Sequence, residues 1–359
     1  MEEAMSLYSI PVAVLFLATC LSPFLSLAVT LSAGDIVVID TGTNSLPASG
    51  QLILVDPVTG AQTVISSGGI LVSATGVALA ANGDLLVADN NSGNLTAATG
   101  SIISVDPATG AQAIFSERPA YADPWGIVFD SAGDIIITDT QAPSGGGIFR
   151  VDSVTGLETV VSSGGSIVNP TGIGIDSGGD LLIADSSAAG GGGAVIRVNP
   201  VTGIQTIVSS GGSFQNPRGL AIDSAGDILV SDSLGAAIFR VDPVTGTQTT
   251  LSSAGNLVSP NGIAIDFNGD LIVADRDAFG GTGGVIRIDP VTGVQTTLSS
   301  LGNFLDPTGL IIVPGAPPVP PAVPSIPPIG LWALLLGMAV TATVFMRRAS
   351  GSLGVAPVP

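Results

Sequence analysis

Short apolar runs alternate with clusters of Gly, Pro, Asp and Ser over residues 34–313. The dipeptide Gly-Asp recurs at 34, 83, 133, 179, 226 and 269, and each copy precedes a run rich in Val, Ile and Leu that ends in Asp. A second run follows, then a turn such as Asp-Pro-Val-Thr-Gly at 242–246, a third run, and a loop that leads to Pro-x-Gly and a fourth run. Short β-branched runs bounded by turn residues predict β-strands.

Each repeat therefore contains four predicted strands, and successive copies are 49, 50, 46, 47 and 43 residues apart. Four strands in a repeat of this length are typical of a β-propeller blade. The first unit begins at Gly34 with its second strand, whereas residues 307–313 supply a first strand with nothing after it. We therefore predict an all-β, six-bladed β-propeller of four-stranded blades, with the ring closed by pairing of the N- and C-terminal strands.

Two segments of the repeat resemble a known family. Residues 170–176 (Pro-Thr-Gly-Ile-Gly-Ile-Asp) and 179–185 (Gly-Asp-Leu-Leu-Ile-Ala-Asp), with their counterparts in the other units, resemble the NHL-repeat family of six-bladed propellers. They are more distantly similar to the SMP-30/gluconolactonase group. The resemblance implies the propeller fold for residues 34–313, but it implies no single function, because this architecture hosts lactonases, lyases, receptors and scaffolds.

The two ends of the chain predict export and a membrane tether. Residues 1–33 contain an apolar run followed by small residues, which indicates a signal peptide or a retained N-terminal apolar segment. Glu2 and Glu3 are atypical of a signal peptide, so a start at Met5 stays open. After a Pro-rich linker at 314–328, residues 329–348 are an uncharged apolar run closed by an Arg pair, and a short tail at 349–359 ends the chain. This run predicts a transmembrane helix whose Arg end stays in the cytoplasm.

The C-terminal segment resembles the IPTL-CTERM and PEP-CTERM class of bacterial sorting tails, in which a short Pro-containing motif precedes one apolar helix and a basic cluster. It departs from the first type at 327–329, where Pro-Pro-Ile stands in place of Ser-Glu-Trp, and an ordinary C-terminal anchor is the alternative. The resemblance implies a periplasmic or cell-surface location, with the membrane and the export and sorting machinery as partners. The motif residues are Val323, Pro324, Ser325, Ile326, Pro327, Arg347 and Arg348.

Composition excludes several kinds of chemistry. The chain has no His, its nine basic residues are all Arg, and its 28 acidic residues give a formal net charge of -19. Triads that use His, zinc or haem sites with His ligands, and Schiff-base or P-loop lysines are therefore impossible. The negative charge disfavours nucleic acid as a partner.

Aspartate recurs at fixed slots of the repeat. The residues at the end of the second strand are Asp40, Asp89, Asp139, Asp185, Asp232 and Asp275. A residue present in every blade serves a need of every blade, so we expect these side chains to hydrogen bond to turns. Calcium stays open as an alternative, although no Asp-x-Asp-x-Asp-Gly spacing is present and no cofactor is otherwise expected. Arg150, Arg197, Arg240 and Arg287 share one slot and are predicted to pair with nearby Asp on the blade face.

Departures from the repeat mark the candidate site. The residue after Pro at the entrance to the first strand varies among the blades, and this position is expected to ring one end of the central channel. Trp125, Arg218 and Asn261 form a candidate asymmetric patch for a small polar ligand or a partner peptide, with plain surface variation as the alternative. Glu117 and Asp123, in the loop that leads to Trp125, are expected near the same mouth.

These observations favour an exported, membrane-tethered or surface-sorted, non-catalytic propeller that acts as an interaction or ligand-binding scaffold. Its partner would be an unidentified protein or carbohydrate at the cell surface. The alternative is a metal-dependent, lactonase-like hydrolase of the SMP-30/gluconolactonase type. The resemblance implies a Glu metal ligand near the channel for such an enzyme, and Glu117 is the acid expected there, since Glu158 falls in a predicted outermost strand.

Overall fold

The computed structural model describes residues 29–42, 50–90, 100–117, 122–142 and 145–315. They form six four-stranded sheets, and the first strand of every sheet lines one common pocket. The predicted six-bladed, all-β propeller is therefore confirmed. The predicted signal peptide (apart from residues 29–33), the linker beyond 315, the apolar run at 329–348, the sorting motif and the short tail lie outside the described residues. No helix in the described part of the chain is long and apolar enough to span a membrane.

Blade 1 joins the two ends of the described chain, and blades 2 to 6 follow in sequence order. The strands of each blade run from the channel outwards. The innermost strands are β4 (Ala74–Leu79), β8 (Pro124–Phe129), β12 (Pro170–Ile175), β16 (Pro217–Ile222), β20 (Pro260–Ile265) and β24 (Pro307–Ile312). The second strands are β1 (Ile36–Asp40), β5 (Leu85–Asp89), β9 (Ile135–Asp139), β13 (Leu181–Asp185), β17 (Ile228–Asp232) and β21 (Leu271–Asp275).

The outer half of each blade has the same regularity. The third strands are β2 (Gln51–Val55), β6 (Ser101–Val105), β10 (Gly147–Val151), β14 (Ala194–Val198), β18 (Ala237–Val241) and β22 (Gly284–Ile288). The outermost strands are β3 (Gln62–Ser67), β7 (Gln112–Glu117), β11 (Glu158–Ser163), β15 (Gln205–Ser210), β19 (Gln248–Ser253) and β23 (Gln295–Ser300). Two single-turn helices, α1 (Ala188–Gly191) and α2 (Ala278–Gly281), follow the second strands of blades 4 and 6.

The predicted ring closure is present in blade 1. Strand β24 pairs antiparallel with β1, with Ile36 opposite Ile312 and Val38 opposite Leu310. Two backbone hydrogen bonds between Gly34 or Asp35 and Val313 extend this pairing beyond the strands. The innermost strand of blade 1 therefore comes from the C-terminal side of the propeller and the other three from its N-terminal side, which leaves no open edge between first and last blade.

The hydrophobic core lies between neighbouring blades. The cluster between blades 3 and 4, for example, joins Ile136 and Ile148 of one blade to Ile183 and Ile196 of the next, and all four are fully buried. The second strands are buried along their whole length, as expected for strands covered on both faces. Between the outermost strands, Gln112 donates from Nε2 to Ser66 Oγ of the preceding blade at 2.9 Å, and its Oε1 accepts from Ile70 N. Gln62, Gln205, Gln248 and Gln295 make the same clamp.

Candidate functional site

The six innermost strands surround a pocket of about 100 Å³ at one end of the ring, which we call the mouth pocket. Every blade contributes three consecutive residues, so the wall has three layers. The outer layer contains Thr75, Trp125, Thr171, Arg218, Asn261 and Thr308. The middle layer contains Gly76, Gly126, Gly172, Gly219, Gly262 and Gly309. The floor contains Val77, Ile127, Ile173, Leu220, Ile263 and Leu310. The deepest of the three layers is therefore aliphatic.

The glycine layer sets how closely the blades approach the axis. A Cβ on Gly219 would collide with the carbonyl oxygen of Asn261 in the next blade, and one on Gly126 would lie 2.5 Å from the carbonyl oxygen of Thr171. The same contact recurs around the whole ring. Only glycine permits this approach, because any side chain would meet the neighbouring backbone.

Threonine hydroxyl groups of the outer layer contact the following blade in blades 1, 2 and 4, and in blade 1 Thr308 Oγ1 lies 3.5 Å from the carbonyl oxygen of Ala74. Thr75 donates from Oγ1 to the carbonyl oxygens of Ala88, in its own blade, and Pro124, in the next, at 3.0 and 2.8 Å. Thr171 does the same towards Ala184 and Arg218, at 3.2 and 2.9 Å. Each of these threonines therefore ties its blade to the following one at the pocket wall.

In blades 3 and 5 the hydroxyl that bonds to the next blade belongs to the second strand instead of the innermost strand. Thr138 of β9 donates to the carbonyl oxygen of Thr171 at 2.9 Å and accepts from Gly126 N at 2.8 Å. Ser231 of β17 likewise donates to the carbonyl oxygen of Asn261 and accepts from the N–H of the glycine in its own blade. The outer-layer residues of these blades, Trp125 and Arg218, are thereby relieved of the structural role that Thr75 and Thr171 perform.

Trp125 and Arg218 meet across the pocket although another blade lies between them. The guanidinium carbon of Arg218 lies 5.0 Å from the centroid of the Trp125 ring, which is a cation–π contact. Burial lowers the pKa of Arg218, the positive charge of Arg276 lowers it further, and the carboxylate of Asp123 acts in the opposite direction. The Nε of Arg218 is buried without a hydrogen-bond partner.

The remaining candidate residues, Asn261 and Asp123, are less free to contact a ligand. Asn261 lines the same pocket but is only 7% exposed, and its amide donates to the carbonyl oxygen of Ser259 at 3.3 Å. Asp123 lies at the rim, directly before β8, and its Oδ2 accepts from Thr140 Oγ1 and from Gln141 Nε2. The pocket therefore brings Trp125, Arg218 and Asn261 together, with Asp123 beside them.

The expectation that Glu117 lies near the channel is wrong. Glu117 continues the outermost strand β7 as its last residue, pairs with Ser101 and is exposed. Two strands, β5 and β6, separate it from β4 at the pocket wall, because β7 is the fourth strand of its sheet. Glu158 also lies in an outermost strand, as predicted. The acid that the hydrolase alternative requires is therefore not at the pocket. Among the described residues, no three Asp, Glu or Cys side chains gather in a way that could hold a metal ion.

The strand-end aspartates bind the loops at the mouth end. Asp185, for example, accepts from the N–H groups of Val168 and Asn169 through Oδ2 and from Ser187 and Ala188 through Oδ1, at 2.7 to 3.0 Å. The equivalent residues of all the other blades receive the same pair of N–H groups from the loop that precedes the innermost strand. The predicted hydrogen-bonding role is confirmed. Burial raises the pKa of Asp40, Asp139 and Asp275, against the hydrogen bonds from the backbone.

One further ion pair lies at the rim. Arg276 Nε is 2.6 Å from Asp306 Oδ1, in the loop that leads to β24. Burial raises the pKa of Asp306 to about 6, Arg276 lowers it, and the nearby charges of Asp40 and Asp277 raise it. The sequence repeat gave no indication of this pair, because both residues depart from the consensus of their slots.

The four repeated arginines lie at the end of the ring opposite the mouth pocket, which we call the closed end. They pair with aspartate, as predicted. Arg197, for example, places its side-chain nitrogens 3.3 and 3.9 Å from Asp176 and Asp180. Arg150, Arg240 and Arg287 make the equivalent pairs.

Comparison with solved structures supports the fold. A chain in the crystal structure of a nidogen/laminin complex superimposes with a TM-score of 0.63, at 16% identity, over 79% of this chain and 99% of that chain. At this identity the similarity concerns the fold alone. No protein-family model matches the sequence, and no curated protein matches it either.

Proposed function

We propose that this protein is an exported, non-catalytic propeller that binds a partner or small ligand through the mouth pocket. The observation that carries the proposal is the relocation of a hydroxyl in blades 3 and 5. If Trp125 and Arg218 were surface variation, a threonine at each position would serve the ring as Thr75 and Thr171 do. Instead Thr138 and Ser231 take over the interblade hydrogen bond.

The two side chains released in this way suit recognition. Tryptophan and arginine are the residues that most often dominate binding energy at interfaces, because both offer a large flat surface with directional donors. They meet in the mouth pocket, where a bound group would lose part of its contact with water. The nidogen/laminin structure contains a similar propeller chain within a protein complex, which is consistent with an interaction role.

Both described ends of the propeller leave the pocket free. Val29 and Leu31 are partly buried against the core cluster that includes Val313, and Val313 pairs with Gly34 at the closed end of the ring. The apolar segments at the two chain termini support export and tethering to a membrane, since one fits a signal peptide and the other a C-terminal sorting or anchoring helix. We therefore place the propeller in the periplasm or at the cell surface.

The binding role is tested by photo-crosslinking on cells that express the full chain. We expect crosslinked species with the unchanged chain and with Arg240→Ala, which alters an arginine at the closed end. The same species should be absent with the double variant Trp125→Ala, Arg218→Ala. A double variant that keeps every crosslink of the unchanged chain would refute the mouth pocket as the binding surface.

Location is tested separately by cell fractionation. The full chain should fractionate with membranes in cells that lack a sorting protease, and removal of residues 323–359 should release it to the soluble exterior. Recovery of the full chain from the cytosol would refute export.

A further inference from the structure

We propose that the mouth pocket recognises a carboxylate group, which Arg218 holds. This inference names the ligand chemistry of the proposed binding site and rests on that proposed function.

Arg218 is unusual in its lack of an ion pair. Among the described residues, every other arginine has a carboxylate oxygen within 4 Å, in the pairs already given and in the pair of Arg276 with Asp306. The propeller contains 24 aspartates, and it uses aspartate to pair each of the other described arginines. The chain has a net charge of -19, yet none of the described carboxylates lies within 4 Å of this guanidinium. The site is therefore arranged so that a carboxylate from outside completes the pair.

The surroundings of Arg218 make an anion favourable. Burial and the charge of Arg276 both lower the pKa of Arg218, which means that its positive charge is incompletely compensated. A guanidinium presents donors in a planar fork that matches the two oxygens of a carboxylate, and such charge-assisted pairs are stronger than neutral hydrogen bonds. A bound carboxylate would supply both the missing charge and the missing acceptors.

Trp125 fixes the orientation in which these donors are presented. A guanidinium that lies over an aromatic ring keeps the donors at its edge available for an anion. Asp123 acts against the anion, because its carboxylate already contributes negative potential at Arg218. A single carboxylate therefore fits this balance better than a doubly charged phosphate, which needs more positive charge than one unpaired arginine provides.

The shape of the pocket limits the ligand. Three close layers of residues surround the pocket and the deepest layer, which includes Val77 and Ile127, is aliphatic, so the pocket suits a small molecule or the end of a chain. The aliphatic floor suits a compact apolar or weakly polar body behind the carboxylate. The acid group can come from a free small acid, the C-terminus of a peptide or a terminal sugar acid, and these sources share the same chemistry at Arg218.

The experiment uses the full chain with Trp332→Phe, which leaves Trp125 as its single tryptophan and hence as a fluorescent reporter at the site. N-acetylglycine, which mimics a peptide C-terminus, is titrated beside its amide, and galacturonic acid beside galactose. We expect a saturable change in Trp125 emission with at least one acid and none with its neutral counterpart. Arg218→Gln should weaken acid binding by roughly tenfold or more, since a charged hydrogen-bonded pair is lost.

Three further variants separate the contributions. Arg240→Gln, the matched control at the closed end, should leave the affinity for the acid unchanged. Arg218→Lys keeps the charge without the planar fork and should bind with an intermediate affinity. Asp123→Asn should strengthen acid binding several-fold, because a competing negative charge is removed. Thermal unfolding of each variant checks that the ring is intact.

The results decide the proposal in either direction. Binding of galacturonic acid alone would assign the carboxylate to a carbohydrate, and binding of N-acetylglycine alone would assign it to a small acid or chain end. The proposal is overturned if no acid gives a saturable change, if Arg218→Gln binds as well as the unchanged chain, or if inorganic phosphate binds more tightly than both acids. Crosslinks that depend on Trp125 and Arg218 without any acid binding would leave the proposed function standing and reject this inference alone.

Discussion

The two ends of the ring use aspartate in different ways. At the mouth end, the strand-end aspartates are fully buried and accept hydrogen bonds from the backbone of a different segment, as Asp185 does from Val168 and Asn169. At the closed end, aspartates such as Asp242 lie in exposed turns and accept from the residues that immediately follow, here Val244 and Thr245. Burial raises the pKa of several of the first group, whereas these local hydrogen bonds lower the pKa of the second.

This difference separates the aspartates that the fold requires from the outer-layer side chains that vary between blades. The buried carboxylates fix the loops of the mouth from beneath, so the outer-layer side chains in front of them carry less of the structural demand. The closed end consists of self-contained turns that repeat almost unchanged from blade to blade. Variation in sequence at the mouth is therefore compatible with a constant backbone, which is the arrangement expected of a binding surface on a rigid scaffold.

The largest difference between the ends should appear when a carboxylate is removed. Asp185→Ala leaves four backbone N–H groups without their acceptor, and we expect the free energy of unfolding to fall by about 3 to 5 kcal/mol. Asp242→Ala, at an exposed turn whose N–H groups can bond to water, should have a much smaller effect. Chemical denaturation of both variants measures the two changes. Equal losses would contradict the distinction between the ends.

Glycine offers a second, smaller contrast. Gly219→Ala brings a Cβ against the carbonyl oxygen of Asn261, and we expect a loss of about 2 to 3 kcal/mol in stability, because neither backbone can move away in a closed ring. Gly226, in a turn at the closed end, has a φ of +90° and nothing within 4 Å of an added Cβ. Gly226→Ala should therefore cost only the backbone strain, about 1 kcal/mol. A smaller loss for Gly219→Ala than for Gly226→Ala would show that the glycine layer is not tightly packed.

The sequence predicted the propeller and the aspartate and arginine contacts because these features recur from blade to blade, and it predicted the closure because residues 307–313 supply the strand that the first unit lacks. Periodicity specifies the backbone, and the backbone then determines where a repeated polar side chain lies. It failed for Glu117, since strand β7 simply continues through a residue that was assigned to a loop. The pair of Arg276 with Asp306 was also missed, because it joins two departures from the repeat that only the closed ring brings together.

The relocated hydroxyl was visible in the sequence as a correlated change. The outer-layer position and the penultimate residue of the second strand read Thr75 with Ala88 and Thr171 with Ala184, but Trp125 with Thr138 and Arg218 with Ser231. Comparing the two columns together would have shown that the hydroxyl changes strand in blades 3 and 5, whereas blade 6, with Asn261 and Ala274, has no hydroxyl at either position. Only the three-dimensional structure shows why, since the acceptor lies in the next blade.

The pH dependence of stability should differ between the ends as well. Because the folded-state pKa of Asp306 is raised to about 6 from an ordinary 3.8, its protonation favours the folded state. This contribution is complete below about pH 3.8 and is lost as the pH rises through 6, so unfolding at pH 5 should require about 1 kcal/mol more than at pH 7. The closed-end turns respond to pH in the opposite direction. The pKa of Asp242 is lowered in the folded state, so the stability that its ionised form contributes is lost only as the pH falls below 3.8.

Two substitutions test this assignment. Asp306→Asn should abolish the gain in stability between pH 7 and pH 5, whereas Asp242→Asn should leave it in place. Both are measured by denaturation at several pH values in one buffer system. A gain that persists in Asp306→Asn would mean that the other buried carboxylates with a raised pKa, those of Asp40, Asp139 and Asp275, account for it.

At the closed end, blades 1 and 2 lack the repeated ion pair, since Leu54 and Ser104 occupy the slot of the repeated arginine. Ala80 and Ser104 occupy the slots in which the following blade has Asp130 and Arg150, whose side chains lie 3.2 Å apart. A cleft remains between blades 2 and 3, lined by residues that include Ala80, Ser104 and the apolar rings of two phenylalanines. The missing ion pair thus leaves apolar surface open at this position.

Installing the pair should have the smallest effect of those considered. Ala80→Asp with Ser104→Arg should raise the free energy of unfolding by less than about 1 kcal/mol, because the equivalent Arg150 side chain is 31% exposed and such pairs are screened by water. The two single variants complete a double-mutant cycle, measured by denaturation at low and high salt. A coupling that disappears in salt would identify the gain as electrostatic. An equal gain from Ser104→Arg alone would instead show that the stem of the arginine stabilises the cleft by covering apolar surface, and the closed end would then owe its regularity to packing more than to charge.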